Sequence, residues 1–214
     1  LPIFRLGNTD YNGTASGTKI DKGNMTFKGK LTYLSYYCRV AVTPYGKKAK
    51  VSINDSALTI TKADSLLVLL SGGTNYSTET ANYRTNESVL HQRIDDIINK
   101  ALAKNYTTLK TRQQKSHRML FDRCQLSITP DDCNTKPTPQ LVADYNKTDS
   151  SYLDNHFLEE LYFNYGRYLL ISCAQGIALP SNLQGIWNYS NSAVWHCDIH
   201  ANINVQMNYW PAEV

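Results

Sequence analysis

A chain of 214 residues with 42% hydrophobic content has enough apolar side chain to build real cores, as one large domain or two smaller ones. Its net charge of +4 comes from scattered lysines and arginines, with no like-charge run and no aromatic-interleaved basic stripe, which excludes the pattern that tracks phosphates and leaves nucleic acid a poor partner. No stretch approaches the roughly eighteen apolar residues of a membrane span, and five cysteines without CxxC spacing argue against a zinc site or a dense disulfide framework, leaving a single disulfide open.

The opening Leu1-Pro2-Ile3-Phe4-Arg5 is neither an initiator methionine nor a signal peptide, so the chain is expected to be an excerpt of a longer protein. Residues 25–70 alternate with a period close to two, with turn signals at Thr43-Pro44-Tyr45-Gly46 and Asn54-Asp55-Ser56, which predicts a run of antiparallel strands. Leu66-Leu67-Val68-Leu69-Leu70 is apolar on both faces and predicts a central strand covered on each side, ended by Gly72-Gly73. Asn86 is placed to cap a helix whose Leu90, Ile94, Ile97, Ile98 and Ala101 share one face. A more polar helix is expected over 108–121 and a short strand over 123–128. Residues 129–139, with three prolines and two aspartates, are expected to interrupt regular structure and lead into the next domain. The strongest helical pattern covers 152–173, where Phe157, Leu158, Leu161, Tyr162, Tyr165, Leu169 and Ser172 recur three and four apart. A loop rich in Gly, Asn, Ser and Trp follows over 175–195.

The closing stretch, HANINVQMNYWPAEV, concentrates side-chain amides that need hydrogen-bond partners if buried. Residues i and i+2 of a regular helix point about 200° apart, so Asn202 and Asn204 can address one ligand only from an extended lead-in to a helix. Asn204 is a good N-cap type, which puts the helix start near it, with His200 two residues earlier in the same register. A plain alternative stays open: an asparagine here can serve only as a cap, Gln206 and Asn208 can bridge neighbouring helices, Trp210 can fill a core, and a lone histidine is commonly just packed. Against it stands density. The paired amides, His200, Trp187, Trp195 and Trp210 form the kit that binds neutral sugars, amides gripping hydroxyls and indoles covering apolar ring faces.

The segments LEELYFNYGRYLLISCA, LPSNLQGIWN and HANINVQMNYWPAEV resemble the signature region of glycoside hydrolase family 95, the inverting 1,2-α-L-fucosidases, and the upstream ITKADSLLVLLSGGTNY and HRMLFDRCQLSI are similar to that family too. The resemblance implies an α+β multidomain fold: part of an antiparallel β-sandwich domain over 1–80, a helical linker with a short strand over 81–139, and over 140–214 the truncated start of an (α/α)6 catalytic barrel. It implies a glycoside hydrolase releasing terminal L-fucose from α-1,2-linked fucosyl glycans. In that family the two asparagines of the motif hold the attacking water, which maps to Asn202 and Asn204. The family's histidine two positions earlier contacts the sugar near its C5 methyl, which maps to His200 and favours fucose over L-galactose. Trp187 and Trp195 join His200 as substrate-binding candidates.

The family's general acid, a Glu, and the Asp that polarises the asparagines both lie downstream of this motif. The chain is therefore expected to end inside the second barrel helix, and to be inactive and poorly soluble by itself. Glu159, Glu160, Asp198 and Glu213 read as structural or surface carboxylates. Activated water needs no metal and no organic cofactor, and a fucosylated glycan substrate implies an extracellular or periplasmic parent. A non-catalytic carbohydrate-binding relative and an α-L-galactosidase are the alternatives. His196 and Cys197, and the ISCAQGIALP turn, depart from the family pattern.

Overall fold

Alternation drives the first half of the chain into antiparallel sheet, as a computed structural model shows. The structure describes residues 14–21, 23–53, 57–130, 136–145, 147, 151–174, 179–183, 185, 194–197 and 199–213. The turn at Asn54-Asp55-Ser56, Trp187, Asp198 and most of the 175–195 loop lie outside them. Strands β1 (Thr14–Asp21), β2 (Asn24–Lys30), β3 (Ser35–Tyr45) and β6 (Ser65–Thr74) form one antiparallel sheet in the order β1-β2-β3-β6, while β4 (Lys50–Ile53) and β5 (Leu58–Thr61) pair as a separate hairpin. Helices α1 (Glu87–Leu102), α2 (Tyr106–Phe121), α3 (Thr138–Asp144), α4 (Tyr152–Ala174) and α5 (Ile203–Asn208) follow. Antiparallel sheet and then helices is thus the observed order. The chain divides into two compact units, Leu1–Lys110 and Thr111–Val214.

In the first unit β3 is buried on both faces. On one, Val40 packs with Met25 and Phe27 of β2; on the other, Tyr37 packs with Leu90 and Ile94 of α1. Leu90, Ile94 and Ile98 are each at most 2% exposed, and burying such side chains stabilises by roughly 1.5–3 kcal/mol apiece. Ile97, expected on the same face, is 49% exposed because the helix meets the sheet along a single i, i+4, i+8 line.

Polar contacts fix the angle of α1. The Tyr37 hydroxyl donates to Asp95 at 3.2 Å, Arg39 donates to the same carboxylate at 3.1 Å, and the Tyr37 ring lies against His91. Burial and the neighbouring Asp95 carboxylate push the Tyr37 phenol above its usual pKa. Asn75 ties the β3 start to the segment after β6: its Oδ1 accepts from the Ser35 N–H at 2.9 Å and its Nδ2 donates to the Thr85 carbonyl at 3.0 Å.

Three expectations for this unit are corrected. Among the described residues β6 is an edge strand rather than a central one, and Leu66, Val68 and Leu70 are 41–42% exposed on its open face. Gly72 and Gly73 do not end it; the strand runs through them to Thr74. Their purpose is close approach, since a Cβ on Gly73 would stand 3.0 Å from Arg93 and within 3.8 Å of Ile94 and Leu90 on α1. The turn expected from Thr43 begins at Gly46, whose φ of 127° is glycine's territory. Pro44 stays in β3, where pairing with β2 has already ended at Ala41, so no ladder hydrogen bond needs its missing N–H.

In the second unit a polar stripe holds the chain together. Glu160, Asn164 and Arg167 lie i, i+4, i+7 along α4 and grip the backbone of the segment after α2. Arg167, 2% exposed, donates to the carbonyls of Phe121 at 2.9 Å and Cys124 at 2.7 Å, with its guanidinium 5.0 Å from the centre of the Phe121 ring. These carbonyls at and beyond the end of α2 lack intrahelical donors, so the arginine acts as its C-terminal cap. Glu160 accepts from the N–H groups of Ile128 and Thr129 and from the Thr129 hydroxyl. Asn164 donates to the Leu126 carbonyl.

The strand expected over 123–128 is therefore absent: its backbone groups are taken by side chains of α4 instead of a ladder. Residues 129–139 do not wholly exclude regular structure either, because Pro139 sits in the first turn of α3, where its missing N–H costs nothing. Lys136 bridges Asp144 of α3 and Asp154 of α4 at 3.3 and 2.9 Å. Hydrogen bonds from Gln140, Lys147 and Lys136 hold the Asp144 carboxyl at a pKa of about 2. On α4 the apolar pattern that announced the helix is largely uncovered, with Tyr162 80%, Tyr165 54% and Leu169 47% exposed.

Candidate active site

Helix α5 starts at Ile203 with Asn202 as its N-cap, so Asn204, expected as the cap at the end of an extended lead-in, lies instead in the first turn of the helix. Asn202 is extended, with φ −138° and ψ −173°, and its Oδ1 accepts the Asn204 N–H at 3.1 Å. Its own carbonyl accepts the Gln206 N–H at 3.2 Å. Asn202 is exposed and Asn204 half-buried. The cap is thus real, yet it leaves the Asn202 carboxamide a second lone pair and both amide hydrogens, and it leaves the whole Asn204 side chain uncommitted to the helix.

His200 immediately precedes this lead-in, and its carbonyl accepts the Asn202 N–H at 2.8 Å. The imidazole stands edge-on to Trp195, ring centres 5.8 Å apart at 69°, with Nε2 3.4 Å from the Trp195 carbonyl. Trp195 lies in a short 3-10 turn (Val194–Cys197), holds a left-handed φ of 57° and is 51% exposed. A non-glycine backbone in that conformation costs roughly 1–3 kcal/mol. The His200 and Trp195 rings are brought together, while Asn202 meets Asn204 only through its Oδ1 on the Asn204 backbone N–H. Trp210, considered for a core, is 65% exposed.

One amide of the closing stretch, Asn208, finds its partner at the far end of α5, beside a Tyr209 contact. Asn208 donates to the Asn182 carbonyl at 3.3 Å, and the Tyr209 hydroxyl accepts the N–H of buried Ser181 at 2.9 Å. These two residues pin the 181–183 segment, and Asn208 also lines a cavity of about 580 Å³ together with Tyr162, Leu169, Cys173, Asn182 and Met207. Asn202, Asn204, His200 and Trp195 do not line it. The tether was open to sequence reasoning only as a bridge between helices, because nothing in the residue types marks a loop backbone as the partner.

The local carboxylates suit structure better than acid catalysis. Hydrogen bonds from Ile128 and Thr129 hold Glu160 below the usual Glu pKa, the opposite of what a general acid at neutral pH needs. Glu159 accepts from the Tyr145 hydroxyl at 2.8 Å. Asp198 and the Glu213 side chain lie outside the described residues. Cys38, Cys124 and Cys173 are free thiols, and no three described His, Cys, Asp or Glu side chains cluster to hold a metal ion. No described helix is long and apolar enough to cross a membrane.

Known proteins resemble this chain over the stretch that carries these residues. The sequence model of the glycosyl hydrolase family 95 catalytic domain matches residues 105–214, which include the whole of α4, α5 and the candidate site. The chain is 30% identical over 185 residues to "Probable alpha-fucosidase A" of Aspergillus niger, an alignment covering 83% of this chain and 23% of that protein. It is 31% identical over 185 residues to "Probable alpha-fucosidase A" of Aspergillus oryzae, covering 83% and 25%. To "Alpha-L-fucosidase 2" of Arabidopsis thaliana it is 31% identical over 160 residues, covering 74% and 19%. The chain thus spans about a quarter or less of the length of these curated relatives. With more than half of its residues matched by that catalytic-domain model, the chain belongs to glycosyl hydrolase family 95.

Proposed function

We propose that the full-length protein is an inverting glycoside hydrolase that releases terminal L-fucose from α-1,2-linked fucosyl glycans. Asn202 and Asn204 hold the attacking water, His200 meets the sugar, and Trp195 and Trp187 cover its apolar faces. The observation that carries this reading is the extended Asn202 at the mouth of α5: it lies outside the regular spiral, next to Asn204 in the first turn, and its Oδ1 accepts the Asn204 backbone N–H. The names of the fungal and plant relatives support fucose as the sugar.

An amide is a weak base, so its part is alignment: a carbonyl oxygen fixes the water, and a carboxylate hydrogen-bonded to the amide NH2 raises the electron density on that oxygen. That carboxylate and the acid that protonates the leaving oxygen belong to parts of the protein outside this chain. Residues 1–80 are then part of the N-terminal β domain, 81–139 the helical linker, and 140–214, with α4 and α5, the first helices of an (α/α)6 barrel. Displacement by water calls for no cofactor. Its polymeric, hydrophilic substrate places the protein outside the cell or in a periplasm.

One observation favours a second reading, a non-catalytic carbohydrate-binding relative: the Asn202 Oδ1 is already engaged as a helix cap. Following the full-length protein by proton NMR on an α-1,2-fucosylated oligosaccharide separates the two. The enzyme reading expects β-L-fucose as the first-formed anomer, with the L-galactosyl analogue turned over more slowly. Release of the α anomer first contradicts direct attack by water, and binding without release favours the second reading.

A further inference from the structure

An asparagine opening an Asn-x-Ser/Thr triplet, with x other than proline, accepts an N-linked glycan when it lies on an accessible surface. Such triplets open at Asn75, Asn86 and Asn105, among others in this chain. The fold separates these three sharply. Asn75 is 7% exposed, and both ends of its carboxamide are committed, Oδ1 to the Ser35 N–H and Nδ2 to the Thr85 carbonyl. Asn86 and Asn105 are exposed and stand immediately before α1 and α2.

Asn86 occupies the N-cap position of α1 without making a side-chain cap bond. Asn105 does use its side chain, accepting the Thr108 N–H at 2.8 Å, but through Oδ1. Glycosylation takes place at Nδ2 and leaves the amide carbonyl in place as an acceptor, so the Asn105 cap survives it. At Asn75 the same reaction would draw Nδ2 away from Thr85 and force a bulky, hydrated sugar into a buried site, leaving backbone groups unpaired.

We propose that Asn86 and Asn105 are N-glycan acceptors and that Asn75 is not. The assignment rests on passage through a secretory route, the reading given above for the full-length protein. In the modification a lipid-pyrophosphate-linked oligosaccharide is the donor. The asparagine Nδ2 attacks the sugar C1, the C1–N bond forms, the C1–O bond breaks, the lipid pyrophosphate leaves with that electron pair, and one Nδ2 proton is released. The two acceptors bracket α1, a helix of sixteen residues and roughly 24 Å. One glycan then stands at each end of it.

The test is peptide mass mapping of the full-length protein secreted from a yeast host, after enzymatic deglycosylation in heavy-oxygen water, which converts each glycosylated asparagine into a labelled aspartate. The expected result is label at Asn86 and Asn105 and none at Asn75. Asn86→Gln and Asn105→Gln should each remove one glycan, and the double variant both, without loss of secretion. Label at Asn75, or its absence at Asn86 or Asn105, overturns the assignment. Mapping the unsubstituted protein makes the result independent of whether an Asn75 variant folds. Because the host supplies the secretory route, failure here leaves the localisation reading standing, and that reading fails separately if the natural protein stays inside its own cells.

Discussion

Asn204→Ala in the full-length protein is expected to lower kcat by about a hundredfold or more, with little change in KM and in melting temperature. Its side chain has no part in capping α5, so its removal costs the fold little, whereas an attacking water left unaligned costs the barrier several kcal/mol. The proposed mechanism gives Asn202 a water-holding role beside its helix cap, and a pair of substitutions separates the two. Asn202→Ala loses both the water contact and the cap, worth about 1 kcal/mol, and should lower the melting temperature by roughly 2–4 °C. Asn202→Asp keeps a cap acceptor that the helix dipole favours, so stability should hold while turnover falls as far as for the alanine variant. Wild-type turnover in Asn202→Asp or Asn204→Ala, measured by release of free L-fucose, would leave the pair with a structural role only.

The largest expected effect on stability belongs to Arg167. Arg167→Met preserves most of the aliphatic stem and removes the guanidinium that satisfies the Phe121 and Cys124 carbonyls. Each buried acceptor left without a donor costs about 1–3 kcal/mol, so a loss of about 2–6 kcal/mol follows, read as a fall in the urea midpoint of the unit that contains α4. Arg167→Lys should recover only part of it, because an ammonium on a flexible stem lacks the planar fork that reaches two carbonyls together. A midpoint unchanged by the methionine would mean that the end of α2 is held by something other than this cap. Glu160→Gln should cost less, since the amide oxygen can still accept from Ile128 and Thr129.

The contrast between α1 and α4 explains what the sequence could and could not disclose. Helix α1 buries an apolar line, Leu90, Ile94 and Ile98, against a sheet whose own strands alternate, and both patterns are periodic and local. Helix α4 is equally visible as a helix, but its working face is Glu160, Asn164 and Arg167, residue types that ordinarily mark solvent. Their partners are backbone groups about forty residues away in an irregular segment, and no periodicity records such a pairing. For the same reason residues 123–128 read as a strand: the hydrophobic pattern is there, but the backbone hydrogen bonds go elsewhere. β6 misled in another way. Its apolar pattern on both faces implies cover on each side, yet among the described residues the sheet order puts it at an edge.

At the candidate site, residue chemistry was more informative than periodicity. A Ser/Thr/Asn/Asp residue before an apolar helical pattern marks a helix start, which placed α5 near Asn204, but with two asparagines of the same type there it did not tell which one caps: Asn202 does, and Asn204 lies in the first turn. The His200–Trp195 contact needed the left-handed turn at Trp195, a conformation that no residue type at that position foretells.

A crystal structure of the full-length protein with L-fucose or an α-1,2-fucosyl glycan bound bears most directly on the central claim. The account predicts one ordered water within hydrogen-bond reach of the Asn202 and Asn204 carboxamide oxygens, about 2.6–3.2 Å, on the face of C1 opposite the leaving oxygen. Carboxamides turned to opposite sides of α5, or a sugar bound away from both, would contradict it.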